Sequence, residues 1–294
     1  MTTLKETIDA MVASSPDLDS GSLHRLDFWV GQLGSLLISD ISADHVDDAL
    51  DVLVNRGKLR TGRRITTETS GKPLSPATVT RYVSTLGGVY RWAKSQRLLR
   101  KSHIAPTRGV QTASSPINKN KFMTADEVDR LVKVARAADR QWRKLPCMIT
   151  LGFHTGLRAG SLKTLRWRDI DWDERTAYVE RTKNGEPHVA PLSTQCIAEL
   201  QRLTKGQPDE LIFAGRTGKP FEHRNLFRKV AEQARLPGRT FHWLRHSCGT
   251  ELARRGVSQA QIMAVMGHKS LASSARYIHA NVNDRRAVVN SVFG

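Results

Sequence analysis

Residues 242–280 read HWLRHSCGTELARRGVSQAQIMAVMGHKSLASSARYIHA. A histidine and an arginine open this stretch three positions apart, a spacing that sets His242 and Arg245 on one face of a helix. Gly256 and Gly267 divide the remainder of the stretch into short helices. His268 comes directly after Gly267, and Tyr277 stands nine residues further on, within a short helix expected to start near Ser270. Two other readings compete. His242 and His246 are four apart, as zinc ligands often are, but no glutamate follows His242 and no third ligand is evident, so no metal is expected. Residues 258–280 also fit a helix-turn-helix whose recognition helix begins at Leu271, in which Tyr277 would touch DNA without reacting.

Working outward, Thr155-Gly156-Leu157-Arg158 puts an arginine at a glycine-marked turn ahead of the amphipathic pair Leu162 and Leu165. Between the two regions the pattern turns to strand: Thr176–Glu180, then Asn184-Gly185, then His188, Val189 and Ala190. Asn-Gly between two such runs is the strongest short hairpin signal. Lys183 sits beside that turn. Taken singly, Arg158 is an ordinary ion-pair partner, Lys183 a solvated turn lysine, His268 a helix-cap residue and Tyr277 a packing aromatic.

The amino-terminal third reads as helical. Leu4, Ile8, Met11 and Val12 form one apolar stripe, and residues 23–37 are rich in leucine with Phe28 and Trp29. Ser42 is a cap for a helix with Val46, Ala49, Leu50, Leu53 and Val54 on its buried face, stopped at Gly57. Ser75-Pro76 starts another, a capping serine before a proline whose missing donor costs nothing there. Residues 57–73 read as a polar, basic loop, and 106–120, without apolar periodicity, as an interdomain linker. Thr124 with Glu127 three residues on is a capping box, and residues 145–153 suggest a buried helix.

The 294 residues carry 46 lysines and arginines against 28 acidic side chains, net +18. Such an excess points to a polyanion, since each neutralised phosphate releases counterions and adds affinity regardless of base sequence. The charge is uneven. Residues 1–54 hold 2 basic and 10 acidic side chains, residues 55–105 hold 12 and 1, and residues 106–294 hold 32 and 17. Three scattered cysteines fit neither a disulfide framework nor a paired zinc motif. With no signal-type apolar segment at the start, a cytoplasmic address is expected, nucleoid-associated in a bacterium.

Taken in order, the T-G-L-R box, the hairpin lysine, H-x-x-R, G-H and the tyrosine resemble the tyrosine recombinase, or phage integrase, family. The resemblance covers 121–280, with 4–105 standing where the family carries its core-binding domain. It implies a mainly α fold with a small β-hairpin or sheet: a helical core-type DNA-binding domain over 1–105, a linker over 106–120, and an α+β catalytic domain with a C-terminal tail over 121–294. Two departures are visible. Ser161 stands where the family often has an acidic residue, and Met266 where a leucine is usual.

The implied activity is site-specific DNA recombination, strands being cut and rejoined by transesterification through a 3′-phosphotyrosyl intermediate, with neither metal nor ATP and no cofactor. Arg158 and Arg245 would neutralise the non-bridging oxygens, since guanidinium forks pair bidentately and stay charged. An unperturbed phenol of pKa about 10 leaves only about one molecule in a thousand ionised at neutral pH, so Tyr277 needs surrounding cations as its nucleophilic form develops. His242 is the candidate for its proton or for a phosphate hydrogen bond, His268 for a second such bond, and Lys183 for protonating the departing 5′ oxygen. In the first domain Arg60, Arg63, Arg64, Lys72, Arg81 and Arg91 are the expected DNA contacts. Expected partners are double-stranded recombination sites, a homotetramer of the chain on DNA, and an accessory DNA-bending or directionality protein. The apolar tail after Tyr277 needs a pocket, in its own chain or a neighbour's. A type IB topoisomerase would use much the same chemistry, and a non-catalytic helix-turn-helix regulator is the other alternative.

Overall fold

The computed structural model describes residues 2–59, 71–112, 122–140, 143–180 and 185–268. The chain divides into two units, Met1–Ile117 and Asn118–Gly294. It is mainly helical, with one small antiparallel sheet.

The first unit contains α1 (Leu4–Ala13), α2 (Ser20–Leu33), α3 (Ala43–Arg56) and α4 (Pro76–Ser95). Each starts on a side-chain cap. Thr3 and Glu6 form a capping box, Asp19 accepts from the Ser22 amide, Ser42 pairs reciprocally with His45, and Ser75 precedes Pro76. Capped this way, the first-turn amides have partners that helix geometry alone denies them. The helices bury Leu4, Leu26, Trp29, Leu53, Leu86 and Tyr90 together. Both polar tips in that core are satisfied: Trp29 Nε1 donates to Tyr82 O at 3.0 Å and the Tyr90 hydroxyl to Ile38 O at 3.0 Å. Val54, expected on the buried face of α3, is instead 48% exposed. The buried stripe of α3 closes with Leu53, and at 100° further round Val54 has turned to solvent.

The expected basic loop is closed at its base, where the Lys58 amide donates to Lys72 O at 2.9 Å. Most of it, 60–70, lies outside the described residues. Residues at the start of the expected linker are packed rather than extended. Pro106–Arg108 forms a 3₁₀ turn with Pro106 buried, and Val110 lies against the first unit's core.

In the second unit α5 (Ala125–Ala138) opens on the Thr124–Glu127 capping box, with Thr124 accepting from the Glu127 amide and Glu127 from the Thr124 amide. It packs on α6 (Lys144–Thr155), the central helix, whose residues Leu145 to Gly152 are all buried. Then come α7 (Ala159–Thr164) and the sheet: β1 (Ile170–Asp171), β2 (Thr176–Val179) and β3 (His188–Pro191), in that spatial order. Ala177 pairs with Ala190 and Val179 with His188. Ala177, Val179 and Ala190 face the core while Tyr178 and Val189 are exposed, the alternation expected of a sheet covered on one side. The sequence pattern had not disclosed β1, only two residues long.

The chain continues through α8 (Thr194–Gln201), α9 (Arg224–Gln233), α10 (His242–Arg254) and α11 (Gln259–Met266). Helix α6 is flanked by α5, α8 and α10. Glu199 of α8 is buried and paired with Arg136 and Arg202, so its charge is compensated on two sides. None of the described helices is long and apolar enough to cross a membrane.

Candidate active site

The T-G-L-R turn is built by its own residues. The Thr155 hydroxyl donates to Leu151 O at 2.6 Å and accepts from the Leu157 amide at 3.1 Å, closing the end of α6. Gly156 then takes a left-handed conformation, φ +66°, and a Cβ there would stand 3.3 Å from Cys248 Sγ and from Met266. Both the dihedral and the space therefore call for glycine. Leu157 is buried, and Arg158 follows in extended conformation as the N-cap of α7. Among the described residues no hydrogen bond or ion pair engages the Arg158 guanidinium, which stays partly exposed.

Arg245, on the first turns of α10, is 5% exposed. Its Nη1 donates to Gly156 O and its Nη2 to Met266 O, the latter at 2.8 Å. One side chain thus ties the turn preceding Arg158 to the end of α11. That end is a left-handed glycine cap, Gly267 at φ +60°, after which the His268 amide donates to Met263 O at 3.0 Å. His242 lies one turn before Arg245, its ring edge-on to that of His246 at 4.7 Å between centroids. The structure thereby brings the segments of Arg158, Arg245 and His268 together around one guanidinium, with His242 on the same helix. Ser161 and Met266, the two departures, are both buried.

His188 joins them, a residue that sequence reasoning read only as part of a strand. Its Nε2 lies 3.2 Å from Val265 O, and its ring abuts Gly267, where a Cβ would stand 3.2 Å away. Burial, and then the nearby Arg245 charge, hold its imidazole below the usual histidine range. Its period-two position in β3, opposite Val179, was legible, but its contact with a turn nearly eighty residues away was not. Lys183 and Tyr277 lie outside the described residues, as do the tail and His279.

No group of three or more metal-ligating side chains occurs among the described residues. All three cysteines are buried and unpaired, and burial pushes the Cys248 thiol up to about 12, so none is a nucleophile at neutral pH.

Of the expected first-unit contacts, Arg60, Arg63 and Arg64 lie outside the described residues. Lys72 sits exposed at the base of the basic loop, and Arg81 and Arg91 are exposed on α4. Arg91 shares the lining of a 470 Å³ cavity with Lys94, Lys101 and Arg108. The end of α4 and the segment after it thus gather four cations around one cavity.

The sequence model of the phage integrase family matches residues 121–284. Tyrosine recombinase XerC of Xanthomonas campestris pv. campestris is 27% identical over 267 residues, 88% of this chain and 79% of XerC. The type 1 fimbriae regulatory protein FimE of Escherichia coli is 27% identical over 176 residues, 56% of this chain and 88% of FimE. Among solved structures, the Tn1549 transposon integrase in complex with a circular intermediate DNA superposes with a TM-score of 0.73 at 16% identity, covering 99% of this chain and 100% of that one. A lambda integrase dimer bound to a COC′ core site gives 0.64 at 21% identity, over 97% and 78%. These two likenesses establish a shared fold.

Proposed function

The chain belongs to the phage integrase family of tyrosine recombinases, and we propose that it exchanges DNA strands at specific sites with Tyr277 as nucleophile. The observation that carries the reading is the pair of bonds from Arg245 to Gly156 O and Met266 O. They draw the arginine turn, the H-x-x-R helix and the glycine–histidine turn into one place, which no structural role of the separate motifs requires.

In the proposed reaction the Tyr277 oxygen attacks the scissile phosphorus and the bond to the 5′ oxygen breaks. The phenolic proton passes to His242, and Lys183 supplies one to the departing 5′ oxygen, which leaves as the hydroxyl. Arg158, which has no protein partner among the described residues, meets the charge growing on the non-bridging oxygens together with Arg245. His268 adds a hydrogen bond. One phosphodiester replaces another of similar energy, so the 5′ hydroxyl of a second duplex can reverse the step without an energy source. A homotetramer holding two duplexes fits that exchange, acting on nucleoid or mobile-element DNA in the cytoplasm. The basic side of the first unit would hold the duplex through phosphates, with an accessory DNA-bending protein as a further partner.

The test is a nicked duplex that traps the covalent intermediate. The wild-type chain should give an adduct that denaturing electrophoresis resolves from free protein, and Tyr277→Phe should bind the same duplex and give none. An adduct that survives this substitution would remove Tyr277 from the mechanism.

A further inference from the structure

Beside the centre around Arg245 lies a second cleft, of about 750 Å³, whose lining shares only His242 with the proposed reaction. Gly160 and Lys163 of α7 line one side, Arg224 and Arg228 of α9 another, with Arg239 of the loop leading into α10 and His242 at the start of that helix. Its floor is apolar and aromatic, with Phe227 and Phe241 packed edge-on at 5.5 Å.

Two features single it out. Four buried side-chain nitrogen or oxygen atoms lack a hydrogen-bond partner among the described residues, and two of them, Arg239 Nε and His223 Nδ1, belong to this cleft. Arg239 Nε is a donor at any accessible pH, and a buried donor left unpaired is costly, so it points to an absent acceptor in this cleft. The second feature is rigidity. The Arg239 guanidinium lies 4.2 Å over the Trp243 ring, so its planar fork is held against an aromatic face before any ligand arrives.

The charges choose the ligand. Lys163, Arg224, Arg228 and Arg239 stand against a single lining carboxylate, Glu232, while Lys163 also pairs with Glu222 at the rim. Burial, then the Lys163 charge, hold His223 down to about 4, so its ring is neutral and able to present an N–H. Oxygen acceptors carrying negative charge, joined to an apolar body that rests on Phe227 and Phe241, describe a sugar–phosphate unit.

We propose that this cleft is a second phosphate subsite, which holds a DNA phosphodiester other than the reacting one and has Arg239 as its clamp. His242 lines the cleft and also belongs to the reacting centre, so the two phosphates lie on neighbouring backbone. The inference rests on the recombinase reading for the identity of the DNA, but not for the anion chemistry.

The test uses the full chain and a random-sequence duplex of about 30 base pairs, with affinity measured across a salt series. Arg239→Ala should weaken binding about tenfold and lower the slope of log affinity against log salt by about one. Arg239→Lys should restore the slope, because the charge returns, and regain only part of the affinity, because the stacked fork does not. Should Arg239→Ala fold poorly by circular dichroism, Arg239→Gln carries the same comparison. An unchanged slope in the folded neutral variant would overturn the subsite. Adduct formation on the nicked duplex separates the two claims. A wild-type adduct with an unchanged slope removes the subsite alone, and a lowered slope without any adduct removes the recombinase reading alone.

Discussion

Arg158 and Arg245 are the same residue type in the same proposed site, yet their surroundings ask different things of them. Two of the donors of Arg245 go to buried backbone carbonyls, whereas no protein group engages the Arg158 side chain among the described residues. Removing Arg245 leaves Gly156 O and Met266 O unsatisfied, at about 1–3 kcal/mol each. Arg245→Ala should therefore lower unfolding stability by about 2–5 kcal/mol as well as abolish cleavage. Arg158→Ala should leave the thermal midpoint nearly unchanged while slowing adduct formation by about 10²-fold or more. Calorimetry beside single-turnover cleavage checks both, and a strong loss of stability in Arg158→Ala would contradict the assignment. Gly156→Ala faces a left-handed dihedral and two sulfur-bearing neighbours, and should cost about 1–3 kcal/mol in denaturant unfolding.

His223 gives a pH prediction with a definite sign. Its folded pKa, about 4, is below the ordinary 6.5, so between those values the unfolded chain binds the extra proton and the folded one does not. Stability from this residue is therefore complete above about pH 6.5 and is lost as pH falls towards 4. The unfolding midpoint of the wild type should fall across that window more steeply than that of His223→Gln. Parallel slopes for the two proteins would mean that His223 titrates normally in the fold.

Elements show the same logic one level up. The helices of the first unit were readable because each start is a local event: Thr3, Ser42 and Ser75 each accept from an amide three residues on. The pairing of β2 with β3 was readable from their alternation. How the hairpin is fixed was not, since His188 reaches Val265 O and the face of Gly267 across the fold. His188→Ala should loosen β3 and the end of α11 together. Hydrogen–deuterium exchange should rise in peptides over 185–191 and 259–268 alike, with helices α1–α4 unchanged. A rise confined to the strand would show that the contact does not couple the two elements.

At the scale of the molecule the charge pattern becomes spatial. The acidic side chains of residues 1–54 include Asp44, Asp47, Asp48 and Asp51 on α3, whereas α4 exposes Arg81 and Arg91. One unit thus has an acidic helix face and a basic one, the second suited to phosphate. Duplex binding should fall log-linearly with salt, and Arg81→Ala and Arg91→Ala should each flatten that dependence by about one ion. If each variant keeps the wild-type slope, α4 does not touch the backbone. Sedimentation with site-bearing duplex should show four chains on two duplexes, and a complex that stops at one chain per duplex would count against tetrameric exchange.

What the residues determined without further help was local and periodic. Capped helices and the alternating strands follow from neighbours within a few positions, where hydrogen bonds and side-chain period are written directly in the chain, and the order of Arg158, Lys183, His242, Arg245, His268 and Tyr277 is the chain itself. Tertiary structure alone decided that Arg245 is buried on two carbonyls, that Val54 faces solvent, that His188 braces the Gly267 turn, and that Arg239 lies on Trp243 in a cleft with His223. Each of these depends on groups brought close by packing, and burial, desolvation and orphaned donors are properties of that packing rather than of any stretch of sequence.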